Sequence, residues 1–417
     1  MQIASPGRPH LSYCTNIHAG ESLAEVSAAL VEHVVAVKRE LCPTAPFGVG
    51  LRLSARASSE LGAPGAGETF HELLGAHGLY VFTVNGFPFG AFHGKRVKDA
   101  VYRPDWLEDE RLAYSDRLAW QLADLLPDGV SGSVSTVPGA FHPRVAPLGK
   151  SGEEGEGRIA ERLLAHAVTL LRIRERTGKL VELCLEPEPC CLLETTDEAV
   201  RFFEERLFCR GAVRRFADLS GLAEPESEAF LRRHLGVCLD ACHLAVEFED
   251  PVDAVDAFEA HGVRIGKIQV TDALAVELSG DIARDAATHA LLERFADDVY
   301  LHQVVVRSAT GLVRHLDLPD ALALARASNE SGPSEWRVHF HVPVFAERLG
   351  SLGSTQPFLR ELLGIAAQRC ISTHLEVETY TWDVLPPEHR AMDVNRAIVR
   401  ELEWTLGRLV GIAGRPP

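Results

Sequence analysis

The sequence predicts an α/β protein built as a single (β/α)₈ TIM barrel, and two observations carry that expectation. Short apolar runs bounded by Gly or turn residues alternate with segments of helical periodicity, the pattern of a buried parallel sheet wrapped by helices. Several of those runs also end in an acid or another polar group: 181–186 in Glu186, 236–240 in Asp240 with His243 three places on, 265–272 in Gln269 and Asp272, and 374–378 in Glu376 and Glu378. In a barrel the active-site groups come from the carboxyl ends of the strands, so strands that each end in a candidate ligand imply one barrel around one site. A doubly wound open sheet is the competitor, but no G-x-G-x-x-G follows the first strand and there is no Walker loop.

Along the chain, residues 10–18 form a short strand or loop. Ser22 and Glu25 then fit a capping box opening a helix with Leu23, Val26, Leu30, Val34 and Val37 on one face, ended by Pro43 and Pro46. Residues 48–54 form the next strand, and a Gly-rich stretch at 62–67 interrupts the helix after it. A strand at 79–84 enters Asn85-Gly86-Phe87-Pro88, and the loop runs on through Lys95, Arg96 and Lys98 to Trp106, a length typical of functional loops. A helix at about 107–125, a strand at 131–136, a helix at about 156–176 and the Glu186 strand follow. Thr195 and Glu198 make a second capping box. Beyond the Asp240 strand come a helix at 252–260, the Gln269 strand, and two β runs flanking Ser-Ala-Thr-Gly at 308–311 that predict a hairpin. Residues 336–345 resume the barrel, a helix at 356–369 precedes the Glu376 strand, and a helix at about 390–410 closes the chain. Counting back from Glu376 as the last strand makes 48–54 the first. The expected organisation is therefore one domain over 1–417, with an N-terminal extension at about 1–45 and a hairpin-bearing insertion at about 296–335.

A chain of 417 residues with 46% hydrophobic and 24% charged residues belongs among ordinary globular proteins and is long enough for a large core. Its 59 acids and 42 bases give a net charge of −17, which argues against nucleic acid and anionic membranes as partners. No apolar run reaches the length of a membrane span, and the first ten residues lack a secretory core. Nine cysteines without a C-x-x-C pair, several inside predicted strands, point to a reduced cytoplasmic protein. A homo-oligomer is left open.

Side chains two apart on a strand share a face. Cys184 therefore goes with Glu186, Cys238 with Asp240, Lys267 with Gln269, His339 with His341, and Glu376 with both His374 and Glu378. Interior carboxylates are costly unless paired or bound to a cation, and three converging on one point repel one another without one. Mixed oxygen and nitrogen donors suit a single Mn²⁺, Mg²⁺, Co²⁺ or Zn²⁺ ion. The plainer reading is that these acids cap helices or pair with arginines. Proton transfer next to a carbonyl is the chemistry that fits, with Glu186 and Glu376 as the catalytic pair facing one another across the substrate. Asn85, His243, Lys267, His339 and His341 are candidate substrate-binding groups. The Lys95, Arg96 and Lys98 stretch is a candidate anion contact or a solvated charge run.

The order Leu-Glu186-Pro, Leu-Asp240-x-x-His243, Ile-Gln269-x-x-Asp272 and Leu-Glu376-x-Glu378 resembles the xylose-isomerase-like TIM barrels, which include sugar isomerases and epimerases and, more distantly, endonuclease IV. That resemblance implies one divalent ion held by Glu186, Asp240, Gln269 and Glu376, with Gln269 standing where many epimerases have His. The segments 13–18, 47–55, 83–88 and 338–343 further resemble the EboE branch, a metabolite-traffic family, over essentially the whole chain. The expected function is a metal-dependent isomerase or epimerase acting on a small sugar, polyol or cyclitol. The alternatives are a non-catalytic metabolite carrier and an endonuclease IV-like metal phosphoesterase.

Overall fold

The computed structural model describes all residues except 6, 92, 94, 95, 150, 151, 328–331, 388, 389, 391 and 414–417. In chain order its strands are β1 (His10–Tyr13), β2 (Phe47–Arg52), β3 (Leu79–Asn85), β4 (Gly132–Thr136), β5 (Val181–Leu185), β6 (Leu235–Asp240), β7 (Arg264–Val270), β8 (Leu274–Leu278), β9 (Val304–Ser308), β10 (Gly311–His315), β11 (Ser334–Val338), β12 (Arg348–Leu349), β13 (Leu352–Ser354) and β14 (His374–Val377). Eight of them form a parallel sheet in the order β1-β14-β7-β6-β5-β4-β3-β2. A parallel bridge from Cys14 to Gly50 joins its two edges, so the sheet closes into the (β/α)₈ barrel that alternating strands and helices predict.

The strand count differs from the expectation at both ends. β1 pairs with β14 in register His10–His374 through Tyr13–Val377, so the segment expected to be an N-terminal extension supplies the first barrel strand. Its four residues are all buried but include His10 and Ser12, too short and too polar to stand out as a core strand. Residues 336–345, in turn, do not resume the barrel. β11 pairs antiparallel with β8 and β9, because Trp336, Val338, Val304 and Leu274 bury against one another on a second sheet. That sheet has the order β10-β9-β11-β8-β13-β12 and fills the β7-to-β14 connection, so the insertion is larger than the hairpin alone. The β9–β10 hairpin forms where Ser-Ala-Thr-Gly places it. Arg314 on the hairpin pairs with Glu194 and Glu247, which lie beyond β5 and β6, so the insertion packs over the carboxyl end of the barrel.

Local signals place the helices. Both capping boxes are formed, Ser22 with Glu25 and Thr195 with Glu198. The Gly-rich stretch separates helices Ala55–Leu61 and Ala66–Ala76, and long amphipathic segments become Asp109–Leu125, Glu153–Thr177, Gln356–Arg369 and Val394–Ala413. Among the described residues no helix is long and apolar enough to cross a membrane.

Candidate active site

Asp240 ends β6 and does two jobs with two oxygens. Its Oδ1 caps the helix Ala241–Val246, accepting from the backbone N–H groups of Cys242 (2.7 Å) and His243 (3.1 Å) and from the Thr271 hydroxyl (2.5 Å). Its Oδ2 is buried and has no hydrogen-bond partner among the described residues. The helix-cap reading and the ligand reading of this residue are therefore compatible. Glu186 follows β5, its backbone held to Thr136. Glu378 follows β14, and its Oε1 accepts from the Asn16 amide at 2.6 Å. One carboxylate oxygen of each of Glu186, Asp240 and Glu378 lies within 4.8 Å of the others.

Glu376, expected in that cluster, is instead buried beneath it. Its Oε1 accepts from the Asn85 amide at 2.6 Å and from the Lys267 ammonium at 3.2 Å, and both side chains of the ion pair are fully buried. Its Oε2 rests against Gly50, where a Cβ would stand 2.0 Å away. Lys267 also donates to Asn85 Oδ1 at 2.7 Å and to Ser135 Oγ at 3.4 Å. Gln269 donates to the same Asn85 Oδ1 at 3.1 Å, and its Oε1 is buried with no partner among the described residues. Asn85 and Lys267 thus serve the barrel's polar interior, although Asn85 also reaches the pocket wall.

That pocket opens at the carboxyl end of the barrel and is lined by Glu186, Glu188, His243, His339, His341 and Glu378, with Asn16, Asn85, Tyr102 and Tyr380 around them. His339 and His341 come from the strand-free residues after β11, which the insertion carries across the mouth. Lys98 is tied to Asp317 at 2.6 Å, so it forms a structural ion pair rather than a free anion contact. Lys95 lies outside the described residues. Glu188, Asn16 and Gln303 were not singled out by the sequence, and Glu378 was read only as sharing a face with Glu376. Glu188 sits two places beyond Glu186, an alternation that could have found it.

The carboxylates carry the mark of crowding. Burial, then the charges of Glu378 and Asp240, hold the Glu186 carboxyl well above its ordinary range, with Lys267 opposing. Burial and Asp240 likewise push Glu378 upward. Burial alone would depress Lys267, but Glu376 beside it raises it overall. These residues fit a divalent ion: three acid oxygens converge, and Asp240 Oδ2, Gln269 Oε1, Glu376 Oε2 and His341 Nε2 are buried atoms without partners among the described residues. A measurable consequence follows for the metal-free protein. Acids raised in the folded state keep protons that the unfolded chain has released above about pH 4–5. Stability should therefore fall as pH rises from 5 to 8, by on the order of 1 kcal/mol per pH unit for each retained proton. Urea unfolding after chelator treatment should show this slope, and a divalent metal should flatten it; no slope would mean the cluster is not crowded.

An eight-stranded parallel barrel with acidic groups converging at the strand ends defines the class: a TIM barrel with a strand-end acidic site. No protein-family model and no curated protein matches this sequence. Among solved structures the chain is similar to a xylose isomerase-like TIM barrel protein from Mycobacterium smegmatis in complex with magnesium, at 12% identity and a TM-score of 0.51, covering 99% of this chain and 100% of that one. It also aligns with D-psicose 3-epimerase with D-tagatose from Clostridium cellulolyticum H10 at 12% identity and a TM-score of 0.46, covering 97% and 99%. A third is 3-keto-D-glucoside 4-epimerase from E. coli, at 15% identity and a TM-score of 0.40, covering 95% and 98%. The first likeness supports the fold alone, a (β/α)₈ TIM barrel.

Proposed function

We propose that the protein is a divalent-metal-dependent isomerase or epimerase that moves a proton next to the carbonyl of a small sugar, or of the keto form of a polyol or cyclitol. The observation that carries this reading is the convergence of Glu186, Asp240 and Glu378 within 4.8 Å, with Glu186 and Glu378 lining the pocket and Asp240 buried behind them. Glu186, Asp240, Gln269 and Glu378 are the residues that would hold the ion, with Glu378 taking the place expected of Glu376. A bound ion supplies Lewis acidity, polarising the substrate carbonyl and acidifying the adjacent C–H.

Glu186 and Glu378 approach the pocket from β5 and β14 and are the two carboxylates positioned for acid–base work. One takes the C–H proton onto its carboxylate. The other, or the same group, returns a proton to the same carbon or its neighbour. Asn16 fixes the Glu378 carboxylate from β1's side of the mouth, and His243 presents a ring to the substrate oxygens. The likeness of four segments to the EboE branch suggests a place in metabolite biosynthesis or export.

The test is exchange of a substrate C–H with D₂O over a panel of ketoses, hydroxy-carbonyls and cyclitols, run with Mn²⁺, Mg²⁺, Co²⁺ and Zn²⁺. Wild-type protein should exchange at least one member, and Asp240→Asn should lose both bound metal and exchange. Equal metal content in Asp240→Asn and wild type would remove Asp240 from the site. Metal binding with no exchange across the panel would favour the carrier reading. The grouping of His243, His339 and His341 favours, as a second reading, a metal phosphoesterase of endonuclease IV type acting on a small molecule, which release of phosphate from a phosphoester panel would reveal.

A further inference from the structure

Three histidines at the pocket share one feature of hydrogen bonding. The Nδ1 atoms of His243 and His341 lie 2.9 Å and 2.6 Å from the carbonyl oxygens of Pro187 and Glu378. His339 Nδ1 lies 2.8 Å from Gln303 Oε1. The Gln303 amide orientation is set by its other end, whose nitrogen donates to the Tyr102 hydroxyl at 2.7 Å and to the Pro189 carbonyl at 3.2 Å. Carbonyl oxygens only accept, so each ring carries its proton on Nδ1, and each neutral ring presents a bare lone pair on Nε2. Locking Nδ1–H onto a carbonyl is the usual outer support of a metal-bound imidazole.

His243 Nε2 and His339 Nε2 nevertheless face each other at 3.1 Å, with the rings at 77°. Two lone pairs at that distance repel, so a positive charge belongs between or beside them. A proton is poorly supported, because among the described residues no carboxylate hydrogen-bonds to either ring. Asp240 Oδ2 is 3.9 Å from His243 Nε2, and Glu188 Oε1 is 3.8 Å from His339 Nδ1. A metal is well supported. Two imidazole nitrogens at about 2.0–2.1 Å from one tetrahedral zinc ion stand roughly 3.3 Å apart. A carboxylate oxygen of Glu188 lies within 4.8 Å of a ring nitrogen of both His243 and His339, all three side chains are buried, and Glu188 is held in place by the Tyr102 hydroxyl, which donates to its Oε1 at 2.5 Å. Asp240, His243 and His341 form an adjoining set, and both Asp240 Oδ2 and His341 Nε2 lack partners among the described residues.

We propose that His243, His339 and Glu188 form a second divalent-cation site, with Asp240 standing between it and the Glu186–Asp240–Glu378 cluster. The two sites differ in kind. The imidazole-rich set suits Zn²⁺ and its neighbours, whereas the carboxylate-rich set suits Mg²⁺ or Mn²⁺ as well. His339 reaches the pocket only because the second sheet delivers it there, so the insertion builds this site onto the barrel. The site stands whether or not the proton-transfer reading holds.

The test is metal content per chain after stripping with a chelator, equilibration with Zn²⁺ and dialysis. Wild type should retain about two ions, His339→Gln and Glu378→Gln about one each, and the double variant almost none. With Co²⁺ in place of Zn²⁺, a visible absorption band from imidazole ligation should survive Glu378→Gln and disappear in His339→Gln. One ion in wild type, kept by His339→Gln and lost by Glu378→Gln, would overturn the second site and leave the acidic one. One ion lost by His339→Gln and kept by Glu378→Gln would uphold the histidine site and sink the acidic one. Should His339→Gln fail to fold, the wild-type stoichiometry and His243→Asn carry the decision.

Discussion

Glu378→Gln is expected to abolish substrate C–H exchange with D₂O and to strip the acidic cluster of its metal, while leaving the fold intact. Gln is nearly isosteric with Glu, and its side-chain carbonyl can still accept the bond from Asn16 that holds Glu378 at 2.6 Å. What it cannot do is carry charge or take a proton. Loss of a positioned acid–base group costs roughly 10²–10⁴-fold in rate, so the assay should be repeated at saturating metal to separate the catalytic loss from the binding loss. The same substitution should not harm the metal-free protein. Burial and Asp240 already push the Glu378 carboxyl upward, so removing its charge relieves repulsion as pH rises. Unimpaired exchange by Glu378→Gln at saturating metal would exclude it as an essential base. A large stability loss would show that its role is structural.

The position of that glutamate shows where sequence reasoning stops. The strand-end acids were legible because a buried parallel strand is a short apolar run, and the first polar residue after it stands out; Asp240 and Glu186 were found this way. The Leu-Glu-Val-Glu pattern offered two candidates on one face, Glu376 and Glu378. Choosing between them needs the tilt of the barrel. β14 pairs Glu376 with Gln269, and β6 pairs Asp240 with Gln269, so the register line alone puts Glu376 level with Asp240. Strands about 4.8 Å apart and tilted by about 36° displace that line along the barrel axis by roughly 5–6 Å over two strands. That is close to two residues, the interval from Glu376 to Glu378. Likewise β1 fell outside the count because β11 filled one of the eight places, and β11 mimicked a barrel strand because an antiparallel sheet buried on one face uses the same Val and Trp residues. The count then placed Glu186 and Glu376 on opposite sides of the barrel. In the structure β5 and β14 are three strands apart in the sheet order, with β6 and β7 between them.

The Lys267–Glu376 pair is expected to govern stability as sharply as Glu378 governs exchange. Both side chains are fully buried, joined at 3.2 Å, and their remaining bonds go to Asn85 and Ser135. Removing one partner strands an uncompensated charge in the barrel interior, which costs about 3–5 kcal/mol. Lys267→Met should therefore destabilise the protein by that order in urea or thermal unfolding. Glu376→Gln should do so too, since it leaves the ammonium without its counter-charge while Gly50 still leaves room for the amide. The double substitution removes both charges, and it should recover much of the loss, because a buried pair adds little net stability over an uncharged replacement of similar volume. This non-additivity separates two roles for Glu376. A residue holding the barrel floor gives a strong positive coupling with Lys267 and leaves bound metal unchanged in the double variant. A metal ligand instead gives loss of metal in Glu376→Gln that Lys267→Met cannot restore, and that outcome would return Glu376 to the site and displace Glu378 from it.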